Sequence, residues 1–289
     1  MNLKLLISSI LILLFTHNVI AESANQLSWV GCGVSKKAYM DDLAKAYQRD
    51  TGILINLDGG GATRGIRDVG LGTADIGGSC RYYLPDNQAE MAQSFEPLAW
   101  DALALIVHKS NPVQNLTLAN IRDIYTGKLT NWKSLGGNDA PIELYTRKGK
   151  ISGVGRSIRK MIFSDFNIEF ASFKQLKSTG PIEEAVASHP NAIAITGISS
   201  ARLSNVKILK LDNIYPDYKT IKKGNYELYR PLFLVYNPTS KQLPQIKRFI
   251  TYAHSKKGRD IMKKNGVVPY MEAMSLLMKQ MQQDQEAQQ

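Results

Sequence analysis

From Leu27 to Val107 short apolar runs alternate with stretches whose apolar residues recur at helical spacing, and this alternation restricts the fold more than any other feature of the chain. Leu27-Ser28-Trp29-Val30 predicts a strand, and Ala38 to Asp50 a helix with Tyr39, Leu43, Ala46 and Tyr47 on one face. Ile53 to Leu57 predicts the next strand, followed by a short helix with Ile66 and Val69 inward and a third strand over Ala74 to Gly77. Ala102 to Val107 is apolar throughout, the pattern of a strand buried on both faces. Strands alternating with helices give an α/β fold.

Three loops in this region leave a strand end and enter a helix, and each carries small or hydroxyl-bearing residues at the helix start. They are Gly33-Val34-Ser35, Ala62-Thr63-Arg64 and Ser79-Cys80-Arg81. The first N–H groups of a helix lack intrahelical partners and sit at the positive end of its dipole, so converging helix starts make a receptor for an anion. Any one such loop is also an ordinary cap. Dinucleotide chemistry does not fit: counting from Gly59, the sixth position of the fingerprint is Arg64 rather than glycine. Gly127-Lys128-Leu129-Thr130 lacks both the upstream glycine and the adjacent hydroxyl of a nucleotide-binding P-loop.

The N-terminus predicts export. Lys4 precedes the apolar run Leu5 to Phe15, which is shorter than the roughly 20 residues of a membrane span, and Val19-Ile20-Ala21 offers a signal-peptidase site after Ala21. Residues 1–21 are thus expected to be a signal peptide and the mature protein periplasmic or secreted, with no lipid-anchoring cysteine after the cut. The chain has 36 Lys+Arg against 25 Asp+Glu, and loss of Lys4 takes the formal charge from +11 to +10. The basic residues are scattered, with no long basic run interleaved with aromatics, so a solvated surface that attracts anions is expected rather than a nucleic-acid site. Past the signal only His108, His189 and His254 remain, without metal-ligand spacing or a nucleophile elbow, so no metal, cofactor or catalysis is expected. Gln280 to Gln289 reads as a frayed polar tail.

Gly59-Gly60-Gly61-Ala62-Thr63-Arg64-Gly65-Ile66, followed by Gly72-Thr73-Ala74-Asp75-Ile76-Gly77-Gly78-Ser79-Cys80-Arg81, resembles the second and third anion loops of the phosphate-binding proteins that feed ABC importers, the PstS type. Asn111-Pro112-Val113-Gln114-Asn115-Leu116-Thr117, continuing through Ile121 to Gly127 and on to Asn131-Trp132, is similar to the start of that family's second lobe. Tyr145-Thr146-Arg147 with Ser152-Gly153 resembles its fourth anion loop, and Gly180 to Ile195 and Tyr229 to Val235 look like further landmarks. The resemblance spans about Trp29 to Pro269.

It implies a two-lobed, type II periplasmic-binding-protein fold with the ligand in the cleft between lobes. The first lobe is expected over 22–103 and 234–289, with the Gln-rich tail, and the second over 104–233, hinged by strands at Ala102 to Val107 and Pro231 to Tyr236. Carried over residue by residue, the implied anion contacts are Val34, Ser35, Thr63, Ser79, Cys80, Arg147, Ser152, Gly153 and Val154, with Arg147 supplying charge and a planar fork. The implied partners are phosphate or a similar oxyanion and an ABC permease in the inner membrane, with the protein a monomer. The resemblance also places Cys32 and Cys80 at neighbouring strand ends, where an oxidising compartment favours a disulfide. Two positions depart from the family. Cys80 stands where Asp or Ser is usual, and a thiol accepts a ligand proton poorly; Val154 replaces a Thr and its hydroxyl, beside Lys148 and Lys150. The alternative is therefore a sensory or structural protein with an altered ligand, such as sulfate, molybdate or a phosphonate, or without tight binding.

Overall fold

The computed structural model describes residues 26–286. The expected signal peptide and its cleavage point lie outside the described residues. In chain order the strands are β1 (Gln26–Gly31), β2 (Leu54–Asp58), β3 (Ile76–Ser79), β4 (Ser94–Val107), β5 (Asn115–Leu116), β6 (Glu143–Arg147), β7 (Lys174–Leu176), β8 (Ala192–Gly197), β9 (Lys207–Ile208), β10 (Lys210–Leu211), β11 (Tyr229–Tyr236) and β12 (Val268–Pro269). One sheet runs in the order β2-β1-β3-β11-β4-β8-β6-β7, with β9 and β12 also paired to β4, while β5 and β10 form a small parallel pair. β1 is parallel to β2 and β3; β11 is antiparallel to β3 and β4; beyond β4, β8 is antiparallel and β6 runs parallel to β8 and β7.

β4 joins the two halves of this sheet. Its residues Ser94 to Ala102 pair with β11, and Leu103 to Val107 pair with β8. Every residue from Leu98 to Val107 is buried, which explains why the sequence shows no apolar-polar alternation there. The second expected crossing, at Pro231 to Tyr236, is not observed. All of β11 pairs with the first part of β4, part of it also with β3, and the chain passes between halves near Leu228, whose carbonyl accepts from the Leu103 amide at 2.7 Å. Residues 229–233 thus lie with the first half of the sheet, not with 104–228. Tyr229 to Tyr236 is one unbroken strand, so it cannot be divided after Phe233.

The first helical stretch starts earlier than its apolar periodicity suggests. It begins at Gly33 and passes through a π-helical segment, Lys36–Met40, into the helix Asp41–Thr51. Tyr39, Leu43, Ala46 and Tyr47 are all buried, as expected of its inward face. The helix Ala62–Gly70 packs directly onto the ends of β1 and β3. A Cβ on Gly65 would lie 2.5 Å from the Val30 carbonyl oxygen, and one on Gly78 only 2.1 Å from the Trp29 ring. Gly65 therefore serves helix-to-sheet packing, and Gly78 makes room on β3 for the Trp29 ring of β1. Gly61, at φ +93°, makes the turn into the helix that a side chain would strain. The expected frayed tail is corrected over most of its length: Met274–Glu286 is helical, in keeping with the good helix propensity of Gln, Met, Leu and Glu and with buried Leu276 as its anchor. No helix among the described residues is long and apolar enough to cross a membrane.

Candidate functional site

The ends of β1, β3 and β6 converge on one buried region with the helix starts at Gly33, Ala62 and Gly153; the loop Ser79-Cys80-Arg81 does not enter a helix as expected, the next one beginning only at Gln88. Cys32 follows β1, its amide donating to Gly78 O at 2.9 Å, and the Gly61 amide donates to Gly31 O at 3.0 Å, which fixes the second loop against the first. Cys80 follows β3. Its Sγ faces the Cys32 Sγ at 2.7 Å, and both cysteines are buried thiols. From the other half of the sheet, the helix Gly153–Ile158 points its first residue at them: a Cβ on Gly153 would fall 2.3 Å from Cys80 Sγ and 3.2 Å from the Ala62 side chain. Further contacts join the halves. Thr63 Oγ1 donates to Ile151 O at 3.1 Å, and Arg81 Nε donates to the same carbonyl at 2.9 Å. Arg81 is held for this by a buried bidentate pair with Glu90, both contacts at 2.7 Å.

Two guanidiniums enter this region. Arg147, at the end of β6, donates through Nη1 to Thr179 Oγ1 at 3.2 Å and through Nη2 to Lys177 O at 2.7 Å. Its Nη2 lies 3.4 Å from where a Gly61 Cβ would be, so it reaches the second loop. Arg230, on β11, is only 3% exposed. Its Nη1 donates to Cys80 O and Gly153 O, each at 3.1 Å, and to Ser157 Oγ at 2.9 Å. Arg147 Nε, Arg230 Nε and Arg230 Nη2 are buried with no hydrogen-bond partner among the described residues, and the Ser35 hydroxyl is buried in the same condition. Neither arginine forms an ion pair with a carboxylate of the described residues.

The charges perturb one another. Burial lowers the Arg147 pKa, Cys32 and Cys80 oppose that, and Arg230 adds to it. The Cys32 thiol is drawn down to about 6, first by its hydrogen bond with Cys80 and, against the cost of burial, by the positive charge of Arg230. Cys80 moves up, through the same bond and through burial. Asp101, the cross-strand neighbour of Arg230, is pushed up by burial while Arg230 pulls it down. Its Oδ1 accepts from the Ser199 amide at 3.2 Å.

The expected contacts fall here unequally. Cys80, Gly153, Arg147 and Thr63 come together across the two halves, and Ser35 is buried with a free hydroxyl. Val34 and Val154 are buried apolar side chains that offer only backbone groups. Ser79 turns away: its Oγ donates to Arg81 O at 2.6 Å and accepts from the Arg81 amide. Ser152 precedes its helix without a side-chain cap and reaches Gly149 O only at 3.5 Å. The residue read only as part of a landmark was Arg230. Its signal was one charge inside the otherwise apolar run Tyr229 to Tyr236.

A sheet of two halves linked through β4, with paired loops facing one another, is the geometry that the comparisons identify. The model of the PBP superfamily domain matches residues 23–257. The chain belongs to the PBP superfamily. Its relatives include the phosphate-binding protein PstS of Borreliella burgdorferi, 26% identical over 271 residues, covering 89% of this chain and 96% of that one. A Clostridium perfringens protein described as a phosphate ABC transporter substrate-binding protein, solved with bound phosphate, superposes with a TM-score of 0.74 at 30% identity over 85% of this chain and 99% of its own. An ABC-type phosphate transport receptor of Vibrio cholerae gives a TM-score of 0.63 at 27% identity, over 84% and 99%. The fold is that of the type II periplasmic binding proteins, and these superfamily relatives are binding proteins of transport systems.

Proposed function

We propose that this protein is an exported solute-binding protein that captures inorganic phosphate between two lobes and presents it to an ABC permease, without catalysing a reaction. The observation that carries the reading is the pair of half-buried Arg147 and buried Arg230. Arg147 Nε and Arg230 Nε and Nη2 lack partners, and no carboxylate of the described residues is bound to either arginine, at a point where three helix starts meet. Uncompensated buried charge is costly, and a bound oxyanion is the natural partner for it. In this reading the first lobe comprises 26–102 with 229–286, and the second 103–228. The anion is held by Arg147, the Ser35 hydroxyl, and the amides at Val34, Thr63, Cys80, Gly153 and Val154. Export to an oxidising compartment, through residues 1–21, supports a Cys32–Cys80 disulfide that ties the first loop to the third.

Thermal unfolding tests the reading. A ligand that binds only the folded state stabilises it by mass action, by about 2.7 kcal/mol at a hundredfold excess over Kd. Inorganic phosphate is expected to raise the Tm of mature protein first freed of bound anion by unfolding and refolding. An unchanged Tm at saturating phosphate overturns phosphate as the ligand. A shift with molybdate but not phosphate favours the altered-ligand alternative, which the thiol at Cys80 supports.

A further inference from the structure

We propose that Arg230 is a second anion-binding, specificity-determining residue, and that the site prefers the doubly charged form of a tetrahedral oxyanion to the singly charged one. This deepens the anion-binding reading above and rests on it. The argument is one of charge and of donors against acceptors. Arg230 is tethered by Nη1 alone, to Cys80 O, Gly153 O and Ser157 Oγ. Two of those three partners are the backbones of loops that carry expected anion contacts, so the tether sets the guanidinium between the third and fourth loops. Nε and Nη2 remain, buried and without partners, beside Arg147, whose Nε is in the same state. The charge of Arg230 also lies close enough to disfavour that of Arg147. A ligand that lies between them relieves both desolvation and mutual repulsion, and a dianion does so better than a monoanion.

The acceptors point the same way. A hydrogen-bearing oxyanion needs an acceptor for each proton it carries, two for singly charged phosphate and one for the doubly charged form, and the groups facing Arg230 provide few. From the strand end of β3 comes Cys80, whose thiol already faces Cys32 at the end of β1. From β6 comes Arg147, a donor only. Tyr39, on the first helical stretch, is a buried phenol held protonated, burial pushing its pKa far up. From β4 comes Asp101, not in an ion pair with Arg230, with Oδ1 taken by the Ser199 amide and Oδ2 buried without a partner. The site is therefore rich in donors, with the one unpartnered Asp101 oxygen as its carboxylate acceptor, which matches the single proton of the phosphate dianion and not the two of the monoanion.

Calorimetric titration of the mature protein with inorganic phosphate and, separately, sulfate tests this from about pH 5 to about pH 8, across the second ionisation of phosphate. Sulfate stays doubly charged throughout and so reports any titration of the protein itself. Phosphate affinity is expected to rise about tenfold or more with pH as the dianion takes over, relative to sulfate, and sulfate is expected to bind measurably. Arg230→Gln should weaken both anions by about tenfold or more, with Arg230→Lys recovering part, since an ammonium keeps charge but loses the fork. Phosphate bound equally well at both ends of the range, or bound tightly while sulfate is refused, overturns the inference and leaves the anion-binding reading standing. So does weakening by Arg147→Gln but not by Arg230→Gln. Binding of neither anion sinks both. Should Arg230→Gln fail to unfold cooperatively, the pH dependence of the wild-type protein decides alone.

Discussion

A guanidinium buried without a carboxylate is costly, so what an arginine touches says much about what it awaits. Arg147 spends Nη1 on Thr179 and Nη2 on a backbone carbonyl, both neutral partners that orient the fork without cancelling its charge. Arg147→Ala is expected to weaken phosphate binding by at least about 2 kcal/mol, because ligand charge is left buried without its partner. Arg147→Lys should restore only part, lacking the planar fork. Calorimetry on both variants checks this, and unchanged affinity would move the anion away from Arg147. The residue was legible as an arginine at a strand end within a known loop. Thr179 and Glu90 were not, since their roles are to position Arg147 and Arg81 from remote segments, and nothing local marks a threonine or a glutamate for such a duty.

At the scale of elements, β1 and β3 are adjacent parallel strands with Gly31 opposite Gly78, so the residues that follow them, Cys32 and Cys80, leave the sheet side by side. The strand-and-helix alternation made both strands legible, and the common end of the sheet followed from the family resemblance. Periodicity could not assign β11 to one half of the sheet, because an apolar strand announces burial and not its neighbours. It also misjudged the tail, where glutamines that look disordered by composition continue a helix anchored by Leu276. Titration of the denatured, unreduced protein with a thiol reagent is expected to find no free thiol, with two appearing after reduction. The closed loop would stabilise the fold by about 4 kcal/mol on the chain-entropy account. In the reduced protein Cys32 and Cys80 shift in opposite directions, and the raised Cys80 counts against stability only above the ordinary thiol pKa of 9.0, so below it the pair's contribution follows Cys32. A thiol lowered from 9.0 to about 6 stabilises the fold most above its unfolded pKa, and that contribution fades as pH falls through about 6. Two free thiols before reduction would remove the disulfide.

For the whole molecule, the contacts that bridge the halves of the sheet are those expected of the closed state of the proposed two-lobed receptor. Thr63 and Arg81 both donate to Ile151 O, Arg230 binds Gly153 O, and Lys37 pairs with Glu183 at 2.9 Å. Glu183 is buried and also accepts from Thr196 Oγ1 at 2.8 Å and Ser204 Oγ at 2.6 Å, so it stays satisfied on its own side when the cleft opens. Lys37 is the partner that closure adds. Its side chain remains one-third exposed, and solvent screening therefore limits the pair to about 1 kcal/mol or less. Lys37→Met is expected to weaken phosphate binding by up to about fivefold, chiefly through faster dissociation. The Tm of the anion-free protein should hardly change, because the open form does not make the contact. Stopped-flow dissociation and thermal unfolding with and without phosphate separate the cases. An equal loss of Tm in both conditions, with dissociation unchanged, would place the Lys37–Glu183 pair in the open and closed forms alike and remove it from the closing step.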